Sequence, residues 1–241
     1  MDAGWSYNKF GHLRQLEGFV DANPKKAPYT LCVIASFKNN MYRLKEWINH
    51  HLWQGVEHFY LIDEGSVDDY WTEIEGYIKK RIVTIEMITE TIESADKRDI
   101  AYKRYKEMSE WFAIIDTNTF LFTTTIEHDT LRDKINKVEK DVAALYFHGR
   151  SFSNETIANE SSPCIRKTAT WRSLRPMDVP QGIVRTSLTI SLRQNNHEHK
   201  PAKILYVDDI LANVYLRKSP EEVQDRLLSD YLKKQNPSRC W

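Results

Sequence analysis

Between Tyr29 and Asp63 the hydrophobic pattern of the chain changes period twice. Tyr29–Ser36 is a dense apolar run, as expected of a strand buried on both faces. From Asn39 to Gln54 the spacing turns helical: Met41, Leu44, Trp47, Ile48 and Leu52 share one face, and Gly55 supplies a stop. Val56 and Phe59–Ile62 form a second strand that ends at Asp63, and Asp63-Glu64-Gly65-Ser66 has turn chemistry. Asp68 is placed to cap the next helix, which carries Tyr70, Trp71, Ile74 and Ile78. A third strand, Ile82–Ile88, precedes a helix over Ala95–Glu110 with Ile100, Tyr105 and Met108 inward. That helix feeds a fourth apolar run from Trp111 to Ile115. The βαβαβαβ order predicts an α/β fold, a mostly parallel central sheet whose right-handed crossovers place helices on both faces.

The second half is less regular. A helix is predicted over Thr130–Val138 and strands over Ala143–Phe147, Ile165–Trp171, Ile183–Leu192 and Ile210–Tyr215. Pro220 starts a last amphipathic helix, Glu221–Lys233. Residues 1–28 read as a lead-in segment, and 29–241 as one domain in two halves, 29–122 and 123–241.

Composition adds bounds. At 241 residues, 41% hydrophobic and 12% aromatic, the chain can bury a core. Lys plus Arg and Asp plus Glu number 34 each, so no nucleic-acid partner is expected, although a local basic pocket for a diphosphate remains compatible with neutrality. Cys32, Cys164 and Cys240 are far apart, with neither metal spacing nor a disulfide framework, which points to a reducing, cytoplasmic setting. Met1–Phe19 has no apolar signal core, and no run is long enough to span a bilayer, so a soluble chain without a transmembrane segment is expected. There is no G-x-G-x-x-G, P-loop or G-x-S-x-G signature.

The candidate chemistry lies at strand ends. Trp111-Phe112-Ala113-Ile114-Ile115 stops abruptly at Asp116-Thr117-Asn118. A carboxylate at the end of a buried strand is costly unless something binds it, and ligands of open α/β sheets sit at such ends. The step reads as a blurred acid-x-acid motif, able to offer a divalent ion one carboxylate and one amide oxygen. An ordinary turn after a strand is the plainer alternative. Asp63, with Ser66 and Asp68 behind it, suits hydrogen bonding to a nucleoside, or else a turn and a helix cap. Lys38, Lys97 and Arg98 lie near strand ends and can meet phosphate charge. His148 follows a strand and can shape an acceptor pocket. His197 and His199 form an H-x-H pair in a very polar stretch best read as flexible loop, and His50-His51 on the first helix is explained by partial burial. Among the acids, Glu127 and Asp129 are candidates for a catalytic base.

The run Cys32-Val33-Ile34-Ala35-Ser36-Phe37-Lys38-Asn39-Asn40, then Leu44-Lys45-Glu46-Trp47-Ile48-Asn49-His50-His51, then Gly55 through Asp68 resembles the family 92-type glycosyltransferases and their viral and bacterial relatives. Their pattern is a strand with a K-N-E-like end, a helix with E-W-x-x-H-H, and a Y-x-x-D-N-x-S-x-D strand and loop. Ala101-Tyr102 and Trp111–Phe120 match a stretch that normally reads W-x-x-x-x-D-x-D-E-F, and Asn213–Glu222 is similar to a closing H-Y-x-x-K-S-x-E-E segment. The resemblance implies a single Rossmann-like A-type glycosyltransferase domain, with 29–122 the nucleotide-sugar-binding half and 123–241 the acceptor-side half. It further implies a nucleotide-sugar donor, usually UDP-linked, a glycan or glycoprotein acceptor, and Mn²⁺ or Mg²⁺. Donor binding would fall to Ser36, Lys38, Asp63, Ser66, Arg98 and Asp116, with the metal on Asp116 and Asn118. This chain departs from the pattern at three positions. Asn118 replaces an acid, Thr119 a Glu and Val214 a His, so weaker metal binding is expected, and a catalytically silent nucleotide- or glycan-binding module is the alternative. A nucleotidyltransferase would want a basic, Gly-rich opening that is missing here.

Overall fold

The predicted βα succession closes into a seven-stranded sheet in the computed structural model, which describes residues 5–7, 13–15, 27–88, 94–124, 130–153, 171–173, 177, 181–192 and 197–215. Ahead of it, β1 (Trp5–Tyr7) and β2 (Leu13–Gln15) pair antiparallel. Then β3 (Tyr29–Phe37) leads through α1 (Met41–Trp53) to β4 (His58–Asp63) and through α2 (Tyr70–Lys79) to β5 (Val83–Met87). Next come α3 (Ser94–Tyr105), a 3₁₀ turn at Lys106–Met108, and β6 (Ser109–Ile114). Strands β6, β3, β4 and β5 are neighbours in that order and run parallel.

The dense apolar run in β3 follows from helices lying on both faces. Leu31, Val33, Ala35 and Phe37 pack with Leu44, Trp47 and Ile48 of α1 and with Ile74 and Ile78 of α2. Cys32 and Ile34 pack with Ala101, Tyr102 and Tyr105 of α3. Alternate residues point to opposite faces, so a strand covered on both sides must be apolar throughout.

Past β6 the chain forms β7 (Thr119–Thr123), α4 (Leu131–Asn136), β8 (Val142–Phe147), β9 (Gly149–Ser153), β10 (Trp171–Arg172), β11 (Gln181–Arg185), β12 (Thr189–Ser191), β13 (Glu198–His199), β14 (Lys203–Tyr206) and β15 (Ile210–Tyr215). The large sheet runs β14-β8-β11-β6-β3-β4-β5, with β11 antiparallel between β6 and β8. A smaller sheet runs β10-β9-β15-β7, and β12 pairs with β13. Among the described residues no helix is long and apolar enough to cross a membrane.

Three local expectations change. Asp69, not Asp68, caps α2: its carboxylate accepts from the Thr72 amide at 3.5 Å and from the Thr72 hydroxyl at 2.6 Å. Asp68 instead accepts the Met41 N–H at 2.8 Å, because the β4–α2 loop folds back over the start of α1. The helix expected to reach Glu110 stops at Tyr105, since Ser109 is already drawn into pairing with Tyr29. The strand expected over Ile183–Leu192 breaks at Thr186–Leu188, where Leu188 N–H turns back to the Arg185 carbonyl. Arg185 anchors that break. It lies 4.2 Å over the Trp111 ring and donates to the carbonyls of Val138, Glu139 and Val142 and to Glu110. Most of Ile165–Trp171 and all of Glu221–Lys233 lie outside the described residues.

The two sheets meet where α1 grips the outer edge of β7. Trp47 Nε1 donates to the Thr119 carbonyl at 2.8 Å, and His50 Nε2 donates to the Leu121 carbonyl at 2.7 Å. His51 Nε2 accepts the Leu121 N–H at 3.3 Å while its Nδ1 donates to the Trp47 carbonyl at 2.9 Å. On its other side β7 pairs with β15. Burial thus accounts for His50-His51, through a definite hydrogen-bonding task.

His51→Ala leaves the buried Leu121 N–H without its acceptor, so the unfolding free energy falls by about 1–3 kcal/mol; urea denaturation that gives an unchanged value would contradict this joint. A pH effect follows from His58, whose Nδ1 donates to the Arg81 carbonyl and whose Nε2 accepts from Thr84. Burial pushes its pKa from 6.5 down to about 4. The unfolded chain takes up that proton below about pH 6.5 and the folded chain does not. Stability is therefore fully present above that pH and declines as pH falls towards 4, by up to about 3 kcal/mol. His58→Gln flattens this stretch of the stability–pH curve, and a mutant curve parallel to wild type would refute the origin.

Candidate functional site

The carboxyl ends of β3 and β6 are adjacent at the point where the strand order reverses, with β4 and β5 on one side of β3 and β6 on the other, and such switch points are where open α/β sheets seat ligands. Ser36 closes the series Cys32, Ile34, Ser36 on the α3 face. It is 8% exposed, and its hydroxyl has no hydrogen-bond partner among the described residues. A buried hydroxyl left so is costly, and a polar ligand group beside it would remove the cost. Lys38 is exposed just beyond, with no ion-pair partner among the described residues.

The β4–α2 loop forms one wall. Asp63, 5% exposed, accepts from the Ser66 amide at 2.8 Å and the Tyr70 hydroxyl at 3.0 Å. Burial, then the adjacent Asp63 charge, raises the Tyr70 pKa well above its ordinary value, so Tyr70 stays a donor. Ser66 Oγ accepts the Asn39 N–H at 3.0 Å, and Asn39 Oδ1 accepts the Val67 N–H at 2.8 Å. Asn39 holds a left-handed backbone (φ 49°), a conformation asparagine tolerates. Asp63 and Ser66 therefore build the loop itself, and Asp63 retains lone pairs for a ligand.

The other wall is the turn after β6, closed by Thr119 N–H to the Asp116 carbonyl at 2.9 Å. Asn40 Nδ2 donates to Thr117 Oγ1 at 2.8 Å, tying the β3 loop to this turn across the crevice mouth. Arg98, from α3, donates to Asp116 Oδ1 at 2.5 Å; its side chain is 22% exposed against 58% for Asp116. Asn118 accepts the Tyr215 N–H on its carbonyl and the Thr119 hydroxyl on its amide oxygen at 3.2 Å. Ser36, Arg98 and Asp116 thus lie on the α3 side and Asp63 and Ser66 on the α1–α2 side of the same carboxyl end of the sheet, with Lys38 and Asn118 in the connections that leave β3 and β6.

His148 stands apart at the end of β8, its Nδ1 donating to the Met177 carbonyl at 3.0 Å. Glu127 and Asp129 lie outside the described residues. The H-x-H segment expected as loop is instead built in. Glu198–His199 pairs with β12, and both histidines converge on Tyr146, His197 Nδ1 at 2.9 Å and His199 Nε2 at 3.2 Å from its hydroxyl. His199 Nδ1 meets Thr189 Oγ1 at 2.9 Å. Burial first, then the nearby His199 and Arg98, push the His197 pKa down to about 4, so it is neutral at pH 7. Burial raises Tyr146 to about 12. No local pattern announces this cluster, because its acceptor comes from a strand some fifty positions earlier (|i−j| of 51 for His197). Gly182, opposite both Ile114 and Tyr146, makes room for it.

The resemblance implies a divalent ion at Asp116 and Asn118, and the donor set does not fit one well. One Asp116 oxygen is taken by Arg98, and Asn118 brings no charge. The register sets Val214 directly opposite Thr119, both buried, so two of the three departures face each other as an isopropyl group and a hydroxyl. A hard ion takes about six or more oxygen ligands. Among the described residues no three His, Cys, Asp or Glu side chains are grouped to hold a metal.

The large mixed sheet with helices on both faces is the architecture of A-type glycosyltransferases. The description "Glycosyltransferase family 92" matches residues 27–204, most of the chain, and the chain belongs to that family. It is 27% identical over 100 residues to a glycosyltransferase family 92 protein of Ricinus communis, covering 41% of this chain and 18% of that relative. Among solved structures it is similar to S. aureus TarS 1–349 in complex with UDP-GlcNAc, with a TM-score of 0.52 and 15% identity over 80% of this chain and 60% of that one. The TarS 1–349 structure described without a ligand gives 0.49 at 16% identity, over 85% and 65%. The chain thus spans less than a fifth of its curated relative and about three fifths of TarS 1–349.

A Cβ at Gly182 would lie 2.8 Å from a Tyr146 ring carbon. Gly182→Ala therefore displaces the ring and costs about 1–3 kcal/mol of stability. Calorimetric melting checks this, and an unchanged melting temperature would show that the ring has room to move.

Proposed function

We propose that this chain transfers a sugar from a UDP-linked nucleotide-sugar donor to a glycan or glycoprotein acceptor. Membership of family 92 and the switch-point crevice support the reading, as does a fold shared with a protein crystallised with UDP-GlcNAc. The observation that carries it is the placement of Asp63, Asp116 and the unpartnered Ser36 hydroxyl at the carboxyl end of the sheet beside its switch point, with the cations Lys38 and Arg98 at the same end. Asp63 accepts hydrogen bonds from the nucleoside, Asp116 holds Arg98 and keeps one oxygen for the ribose, and the cations meet the diphosphate. In the reaction the acceptor hydroxyl oxygen bonds to the anomeric carbon. The bond from that carbon to the β-phosphate oxygen breaks, and UDP leaves with the electron pair. The hydroxyl proton passes to a base, for which Glu127 and Asp129 remain candidates. A catalytically silent binding module is favoured by the replacements at Asn118, Thr119 and Val214.

Incubation with UDP-sugars distinguishes the two: a transferase of this type releases UDP slowly to water even without acceptor, whereas a silent module binds donor and releases none. Asp116→Ala lowers UDP affinity by about tenfold or more, about 1.4 kcal/mol, while the melting temperature stays close to wild type because the side chain is exposed. Titration calorimetry that finds equal affinity would remove Asp116 from the donor site.

A further inference from the structure

We infer that the crevice binds the donor diphosphate through Arg98 and Lys38 without a divalent ion. The inference rests on the donor-site reading above and concerns how that site balances charge. The family pattern offers three acids where this chain has Asp116, Asn118 and Thr119. Here Asn118 and Thr119 remove two carboxylates, equal to the charge of one divalent ion. Asp116 and Arg98 then sum to zero in direct contact at 2.5 Å. Lys38, without an ion-pair partner among the described residues, offsets the charge of Asp63, so the four groups sum to zero rather than to a negative charge facing an incoming diphosphate.

Geometry agrees with the count. Arg98 is only 22% exposed on its side chain, held at one end by Asp116, and a guanidinium has five N–H donors, more than that contact uses. A divalent ion at Asp116 would have to displace this contact. The other positions at which the family pattern would offer a donor hold Thr119 and Val214, buried against each other across β7 and β15. Neither a hydroxyl nor an isopropyl group supplies the charged or imidazole ligand that a divalent ion would take from these positions.

The test measures UDP binding to the 241-residue chain by titration calorimetry, once in EDTA and once in Mn²⁺. The two affinities should agree within about twofold, and Mn²⁺ alone should give no saturable heat. Arg98→Gln should weaken UDP binding in EDTA by about tenfold or more, and Lys38→Gln, at an exposed position, should weaken it by a smaller factor without any change in folding. Circular dichroism establishes that the Arg98 variant is folded. UDP affinity that rises about tenfold or more when Mn²⁺ replaces EDTA overturns this inference and leaves the donor site standing. Unchanged affinity in a folded Arg98→Gln protein also overturns it. No UDP binding in either buffer overturns the donor-site reading and this inference with it.

Discussion

Leu121 presents its N–H and C=O away from β15, towards α1, and the site depends on how those two groups are met. An edge strand buried in a protein cannot leave its backbone groups unpaired. Here imidazoles take the place of another strand, His50 as donor and His51 as acceptor, with Trp47 holding Thr119 one step before. The effect is to weld the small sheet to the first helix of the large one. Asp116–Asn118 is the connector between β6 and β7, so both its ends are fixed in rigid elements. A paired histidine on a helix is easily taken for a ligand; in this protein it is scaffolding, and its fixed tautomer is what the scaffolding requires.

Legibility in the sequence tracked the range of the interactions concerned. The run β3–α1–β4–α2–β5–α3–β6 could be read because each element carries its own periodicity, and the covered faces of β3 leave an unmistakable apolar block. The capping residue of α2 could not, since Asp68 and Asp69 are equivalent locally and differ only in that the loop folds back to Met41. The break at Thr186–Leu188 depends on Arg185 reaching Trp111 and the α4–β8 connection, contacts spread over 75 positions for the Glu110 pair. Within the candidate site, Asp63 and Asp116 were visible as polar ends to apolar runs and Arg98 as a cation able to meet phosphate charge, although it comes from α3. The Tyr146–His197–His199 cluster was not, because its polar stretch reads as solvated until a partner from β8 is supplied.

The three departures from the family pattern also look different once placed in space. In sequence Thr119 and Val214 are separate events, nearly a hundred positions apart. In the fold they are one cross-strand pair, and such pairs pack as a unit. A carboxylate at 119 or an imidazole at 214 would need a partner in this buried pair, a cost that a hydroxyl opposite an isopropyl group does not carry.

The hydrogen bond from Asn40 to Thr117 has a consequence for how quickly the crevice can work. It ties the loop after β3 to the turn after β6, and the far ends of both run into strands that are themselves paired. The mouth is thus preorganised: the entropy of bringing its walls together is lost when the chain folds and need not be lost again at each encounter with a ligand. Catalytic cycles in many enzymes wait on a lid that closes and reopens. These two loops are held in place by the fold itself, so a ligand of the proposed kind would meet them already set.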